Sequence, residues 1–285
     1  MTPTVIGGPA ASLGVAEATV SSGLRVRTTD LASEGRNNRM KANNLVNAFL
    51  YRLGNKIARS VLLESRFGSA PTSGGERVDI VYTAEIAGPW PSLWRRMDIY
   101  EQTHYSRYVF ASYWARSSDT CADLACGTGY GSALLSEVCH SVLAVDRSRV
   151  VVEAAKQRYE HRENLRFICE DLLSLQLDGA FDLIVSFETI EHFAEPDIRK
   201  LLAIYCTALK PSGTLIFSCP YRQPAAEAAK AGFHLTSEID EGRVLRWLGC
   251  AGLGAKRIDY QSYNEPLVQR QLAKPDFLVC VAQHD

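Results

Sequence analysis

The sequence predicts an α/β fold, a largely parallel sheet with helices on both faces, and three observations carry that expectation. Residues 120–131, TCADLACGTGYG, run from an apolar stretch through Asp123 into Gly127, Gly129 and Gly131, where helical patterning begins. That order reads as a strand, a tight turn and a helix N-terminus, with glycines leaving no side chain between the main chain and a ligand lying across the turn. Strand-like and helix-like segments then alternate to the end of the chain. Acidic residues recur where strand-like runs end, at Asp123, Asp146, Glu170 with Asp171, and Glu188, which is the edge where open α/β sheets bind ligands.

Taken in order, residues 1–39 are rich in Gly, Ala, Ser and Thr without sustained periodicity and are expected to be loosely ordered. From Met40, itself a candidate natural start, Leu45, Phe49, Leu53, Ile57, Val61 and Leu62 fall along one helical face, predicting an amphipathic helix with a break at Gly54. Such a helix suits covering the domain or a homodimer contact; Arg52, Lys56 and Arg59 also suit a membrane surface. A linker-like run closes this 40–96 region. Residues 97–285 form the expected catalytic domain, opening with an aromatic helix, DIYEQTHYSRYVFASYWA, whose Tyr105, Tyr108, Val109 and Trp114 are placed to pack over a ligand.

After the glycine turn, SVLAVDRS reads as a strand ending in Asp146, about twenty residues on, where nucleotide-binding folds place the acid that holds ribose hydroxyls. LRFICEDLLSL is the next strand, FDLIVSFETIEHF a buried strand running into Glu188, Glu191 and His192, and LKPSGTLIFSCP a turn and another strand. Thr236 or Ser237 is positioned to cap a helix carrying Val244, Leu245, Trp247 and Leu248, with His234 facing the mouth of the sheet. GAKRIDYQSYN and KPDFLVCVAQ read as antiparallel terminal strands.

The ligand these features suit is not a dinucleotide. The fingerprint for one needs a third glycine where Ser132 stands, and Asp123 would repel a pyrophosphate while suiting a cationic amine. A net charge of −1 gives no basic footprint for nucleic acid. The eight cysteines show no CxxC pair, so reduced thiols are expected, and the absence of a long apolar span or secretory signal makes the cytoplasm the expected compartment.

On DLACGTG and the segments after it, the chain resembles the class I S-adenosylmethionine-dependent methyltransferases. The resemblance implies a Rossmann-like seven-stranded sheet with helices on both faces, plus the N-terminal helical extension, and S-adenosylmethionine as cofactor with S-adenosylhomocysteine as product. It assigns cofactor contacts to Asp123, Ala125, Cys126, Gly127, Gly129, Asp146, Arg147, Asp171, Leu172, Phe187 and Glu188, with Asp171 near the adenine amino group. HYSRYVFA is similar to the region ahead of this motif in bacterial methyltransferases of glycan and secondary-metabolite pathways, and Arg107 is the residue expected to reach the methionine carboxylate, with His104 and Tyr105 beside it. ETIEH looks like the E-x-x-E-H of quinone-biosynthesis O-methyltransferases, which leaves Mg²⁺ open at Glu188, Glu191 and His192; the same text is frequent in sugar methyltransferases without a metal.

The expected reaction is O-methylation of a sugar hydroxyl on a small molecule or glycan intermediate, with His192 as general base and His234 and Tyr221 as the next candidates. A quinone or phenolic O-methyltransferase, and a cofactor-binding regulatory subunit without turnover, are the alternatives.

Overall fold

The computed structural model describes residues 97–285 apart from Asp178. The expectations for residues 1–96, including the amphipathic helix, its dimer or membrane role and a start at Met40, lie outside the described residues.

Helix α1 (Ile99–Ser112) starts at Asp98, whose side chain accepts from Glu101 N while Glu101 reaches back to Asp98 N, a reciprocal capping box. Strand β1 (Thr120–Leu124) leads through the glycine turn into α2 (Tyr130–Ser136). Then follow β2 (Ser141–Asp146), α3 (Arg149–Arg158), β3 (Leu165–Cys169), β4 (Phe181–Ser186), α4 (Glu195–Ala208), β5 (Leu209–Pro220), α5 (Ala225–Ala231), α6 (Glu241–Cys250), β6 (Leu253–Gln261) and β7 (Phe277–His284). Single 3₁₀ turns follow β3 at Leu172–Ser174 and β4 at Ile190–His192.

The seven strands lie in the order β3-β2-β1-β4-β5-β7-β6. Only β7 runs against the rest: it is antiparallel to both β5 and β6, so β6 points the same way as β1 to β5. The two terminal strands pair antiparallel with each other, as expected, and β7 is the one inserted between β5 and β6. The order reverses beside β1, whose neighbours are β2 and β4, and this switch point is where a parallel sheet opens a crevice at its strand ends.

Both faces of the sheet are covered, which explains why the central strands are apolar at consecutive positions. Leu183, Val185, Ile216, Val279 and Val281 pack with α1, α2 and α3 on one face. Ala122, Leu124, Ile184, Leu215, Phe217, Leu278 and Cys280 pack with Ile198, Leu201, Leu202, Val244, Trp247 and Leu248 of α4 and α6 on the other. Each fully buried Leu or Ile contributes roughly 1.5–3 kcal/mol, so the sheet is a rigid base for the loops at its edge. The α6 cap is Asp240, whose carboxylate accepts from Arg243 N at 2.8 Å, rather than Thr236 or Ser237. Thr236 Oγ1 instead donates to Phe193 O at 2.7 Å, tying that loop to the segment after β4.

Among the described residues no helix is long and apolar enough to cross a membrane.

Candidate active site

The turn after β1 is wound by left-handed residues at Ala125 (φ 70°), Gly127 (φ 53°) and Gly129 (φ 82°). It is stapled to β2 because Ala125 N and Cys126 N both donate to Val145 O at 2.9 Å. Ala125 holds a conformation that costs a non-glycine residue about 1–2 kcal/mol, and such strain collects where a loop is shaped for a ligand. A Cβ on Gly127 would meet nothing within 4 Å; Gly127 borders a cavity of about 440 Å³. A Cβ on Gly131 would strike the Tyr108 ring at 2.0 Å, so this glycine lets α1 close directly over α2.

The cavity has two ends. Ala125, Cys126, Gly127, Thr128, Asp146, Arg147, Asp171 and Leu172 line one, at the C-terminal ends of β1, β2 and β3; Phe187, Glu188, Thr189, His192, Phe193 and Phe233 line the other, after β4 and before α6. His104, Arg107 and Tyr108 of α1 and Tyr130 of α2 complete the lining. Of these, sequence reasoning did not name Thr128, Tyr130 and Thr189, although they lie inside the glycine and ETIEH motifs, nor Phe193, and it read Tyr108 only as packing. Tyr108 meets Tyr130 and Phe187 edge to face, with ring centroids 5.3 and 4.9 Å apart.

Asp146 is the last residue of β2, and its carboxylate is already oriented: Oδ2 accepts Gly127 N at 3.1 Å and Oδ1 accepts Ser148 N at 2.8 Å. Each carboxylate oxygen has capacity for a further bond, which two vicinal ribose hydroxyls would fill. Asp171 lines the same end while capping the Leu172–Ser174 turn through Leu173 N at 2.8 Å. Asp146→Ala should weaken S-adenosylhomocysteine binding by roughly ten- to a hundredfold, the loss of about 1.5–3 kcal/mol of charge-assisted bonding. Calorimetry showing a change under twofold would place the ribose elsewhere.

Asp123 does not line the cavity. It is fully buried, accepting from Ser132 Oγ at 2.6 Å and Tyr108 OH at 3.2 Å, so it ties α2 and α1 to β1 instead of meeting a cofactor amine. Gly129 likewise shapes the turn without touching the cavity. Burial pushes the Asp123 carboxyl up to about 7, against the two hydroxyl bonds that pull it down. Between about pH 4 and 7 the folded protein keeps this proton while the unfolded chain has lost it, so the group lowers stability as pH rises through that window. Asp123→Asn should therefore gain stability relative to the wild type as pH rises from about 4 to 7 and hold that gain above it. A difference in denaturation midpoint that stays flat with pH would refute this.

At the other end, Glu188 sits at φ 49°, its Oε1 accepting Ser218 Oγ at 2.6 Å and lying 3.4 Å from Arg107 Nη1. His192 Nδ1 lies 3.2 Å from Phe233 O. A carbonyl only accepts, so Nδ1 carries the proton and Nε2 the lone pair. His234 stands beside it, ring centroids 5.2 Å apart, with Nδ1 2.6 Å from Gln223 Oε1. His234 does not line the cavity, and neither does Tyr221. Tyr221 OH is drawn away to Glu241 at 2.9 Å, where Tyr260 OH also donates, which removes it from the catalytic candidates.

The carboxylate and imidazoles that converge are Glu191, His192 and His234, whose ligand atoms all lie within 4.8 Å of one another. Glu188, expected in this set, is engaged by Ser218 and Arg107 instead. Two imidazoles and one carboxylate form a donor set suited to first-row divalent ions; Mg²⁺ prefers oxygen ligands throughout.

Comparison with known proteins agrees with this architecture. Residues 122–213 match a family model described as a methyltransferase domain. A ubiquinone biosynthesis O-methyltransferase of Coxiella burnetii is 33% identical over 98 residues, 34% of this chain and 41% of that protein. A probable S-adenosylmethionine-dependent methyltransferase of Mycobacterium tuberculosis is 31% identical over 131 residues, 45% of this chain and 46% of that one, so the chain spans under half the length of either relative. The crystal structure of geranyl diphosphate C-methyltransferase from Streptomyces coelicolor, solved with Mg²⁺, geranyl diphosphate and S-adenosyl-L-homocysteine, shares the fold at TM-score 0.54 and 16% identity, covering 81% of this chain and 97% of that one. With the matched segment seated in a seven-stranded sheet of this order, the described residues share the fold of the class I S-adenosylmethionine-dependent methyltransferases, and the chain resembles them in sequence over its methyltransferase-domain match.

Proposed function

We propose that the chain binds S-adenosylmethionine and transfers its methyl group to a hydroxyl oxygen of a small acceptor. The observation that carries this reading is one cavity with an oriented carboxylate, Asp146, at its first end and an imidazole of defined tautomer, His192, at its second. Asp146, Gly127 and Asp171 would hold the adenosine. The sulfonium methyl is activated by the cofactor itself, so the protein has to align an acceptor oxygen behind it and remove that oxygen's proton as the bond forms. The methyl–sulfur bond breaks, its electron pair stays on sulfur, and the acceptor proton passes to His192 Nε2.

Phe187, Phe193 and Phe233 line the second end and favour a ring that stacks or packs edge-on against them. A phenolic hydroxyl is therefore the first acceptor to test, ahead of the sugar hydroxyl expected from sequence, for which Thr189 and Glu188 are the polar contacts at the same end. Incubation with methyl-labelled cofactor and a panel of phenols, sugars and fractionated metabolites tests the reading. Label moving into an ether-soluble phenol ether supports it. Calorimetry showing NAD bound and no response to S-adenosylhomocysteine would overturn it.

The Glu191, His192 and His234 cluster favours a second form of the same reaction. A first-row divalent ion held there would orient the acceptor oxygen and lower its pKa, and His192 would then act as a ligand in place of a base.

A further inference from the structure

Between β5 and α6 the chain leaves the sheet and returns at one point. Tyr221 N donates to Asp276 O, Arg222 N to Ile239 O and Glu238 N to Gln223 O, each at 2.8 Å. The last two bonds run in opposite directions across the same gap and pinch residues 222–238 into a loop with a closed neck. Ile239, 1% exposed, roots that neck in the core. Arg222 (φ 50°) and Glu238 (φ 54°) hold left-handed backbone at the neck itself, two of the four non-glycine residues in that state among those described. Strain of this kind collects where surrounding structure enforces it, at ligand clamps and switching segments.

Beyond the neck the loop buries little. Ala228, His234 and Thr236 are its buried residues, whereas Leu235 is 69% exposed and α5 is exposed apart from Ala228 and the half-buried Ala231. Four bonds tie it to the segment after β4. Leu235 N and Thr236 N donate to Glu191 O at 2.8 and 3.1 Å, Thr236 Oγ1 to Phe193 O at 2.7 Å, and His192 Nδ1 to Phe233 O at 3.2 Å. A segment with few buried apolar contacts, held by a handful of directional bonds, opens locally at far less cost than the layered sheet.

The last of those bonds reaches the chemistry. Phe233 lines the acceptor end of the cavity, and its carbonyl is the atom that puts the His192 proton on Nδ1 and leaves the lone pair on Nε2. The Phe233 ring also lies against the His192 imidazole, with centroids 5.6 Å apart. Gly232, at φ 82° and with nothing within 4 Å of a Cβ, supplies the left-handed turn that brings Phe233 there. We propose that residues 222–238 form a flap that opens about its neck, and that closure of the flap sets His192 for proton removal, with Phe233 as the positioning residue through its main-chain carbonyl. The proton removal rests on the reading of the cavity as a methyltransferase site; the opening and the tautomer do not.

Hydrogen exchange of the full chain, followed residue by residue by NMR, tests the flap first. Leu235 and Thr236 should exchange with one common protection, at least roughly tenfold faster than Tyr221, Arg222 and Glu238 at the neck. Thr236→Val removes the bond to Phe193 O and should speed exchange at positions 235 and 236 about fivefold, with the neck amides unchanged. Gly232→Ala, which strains the backbone without a clash, should act in the same direction. In the double variant the open flap becomes well populated. Protection at 235 and 236 is then lost, and the ring-nitrogen resonances of His192 leave those of a single Nδ1-protonated tautomer. Wild-type exchange at 235 and 236 no faster than at the neck would overturn the flap, as would protection there that survives both changes. Lost protection with the His192 tautomer unchanged would overturn the positioning role. Should the double variant melt without cooperativity, the fivefold effect of each single change at 235 and 236, measured against the neck, decides instead. S-adenosylhomocysteine takes no part in these measurements, so protein that fails to bind it removes the methyltransferase reading and leaves the flap standing.

Discussion

Gly127→Val should reduce S-adenosylhomocysteine affinity at least about a hundredfold, the largest binding effect expected of any single change in this chain. Two causes act together. The Cβ position of Gly127 opens onto cavity space, so a branched side chain takes room the nucleoside needs. The residue also sits at φ 53°, where a β-branched side chain is strained by about 1–3 kcal/mol. Relief of that strain would pull Gly127 N from Asp146 Oδ2 and leave the ribose acid less well aimed. Gly127→Ala separates the causes, since it meets a similar backbone penalty with far less bulk. The expected order of affinity is wild type, then alanine, then valine. Melting temperatures of both variants should fall only by a few degrees, because the hydrophobic layers on either side of the sheet are untouched. Wild-type affinity in the valine variant would show that the ligand does not cross this turn.

The Asp146 end of the cavity, which we propose for the adenosine, was legible in the sequence because its determinants are local. A strand, a glycine turn and a helix N-terminus are written in consecutive residues, and Asp146 follows at the fixed distance of one helix and one strand. Asp123 shows the limit of the same logic. Its position in the motif was read correctly, but that it turns into the layer beneath α1 depends on Ser132 and Tyr108, and the Tyr108 bond is set by how the preceding helix folds back. The acceptor end was less legible. Tyr221 follows β5 directly, as a catalytic residue would, yet Glu241 at the start of α6 draws its hydroxyl away. His234 stands behind His192 in place of facing the cavity, since Leu235 N and Thr236 N both bond to Glu191 O and fix that loop. Arg107 was singled out from its helix, but its bond to Gln261 spans 154 residues, and no spacing rule connects them.

His192→Ala should lower kcat by at least ~100-fold toward the acceptor identified by label transfer, the usual cost of losing an acid-base group, while S-adenosylhomocysteine affinity stays within about twofold. The affinity is spared because His192 lines the acceptor end, apart from Asp146 and Gly127. The Phe233 carbonyl fixes its tautomer, so the nitrogen carrying the lone pair is Nε2. That lone pair can take a proton or bind a metal, but not both at once. If it takes the proton, turnover persists in EDTA, kcat/KM falls on the acid side as the imidazole becomes charged, and Glu191→Gln is the milder change. If it binds an ion, EDTA abolishes turnover, Zn²⁺ or Mn²⁺ restores it better than Mg²⁺, and His192→Ala, His234→Ala and Glu191→Gln fail together, because each removes one of three converging ligands. Undiminished kcat in His192→Ala would exclude both roles and leave Glu188, aimed by Ser218 and Arg107, as the remaining carboxylate that lines the acceptor end.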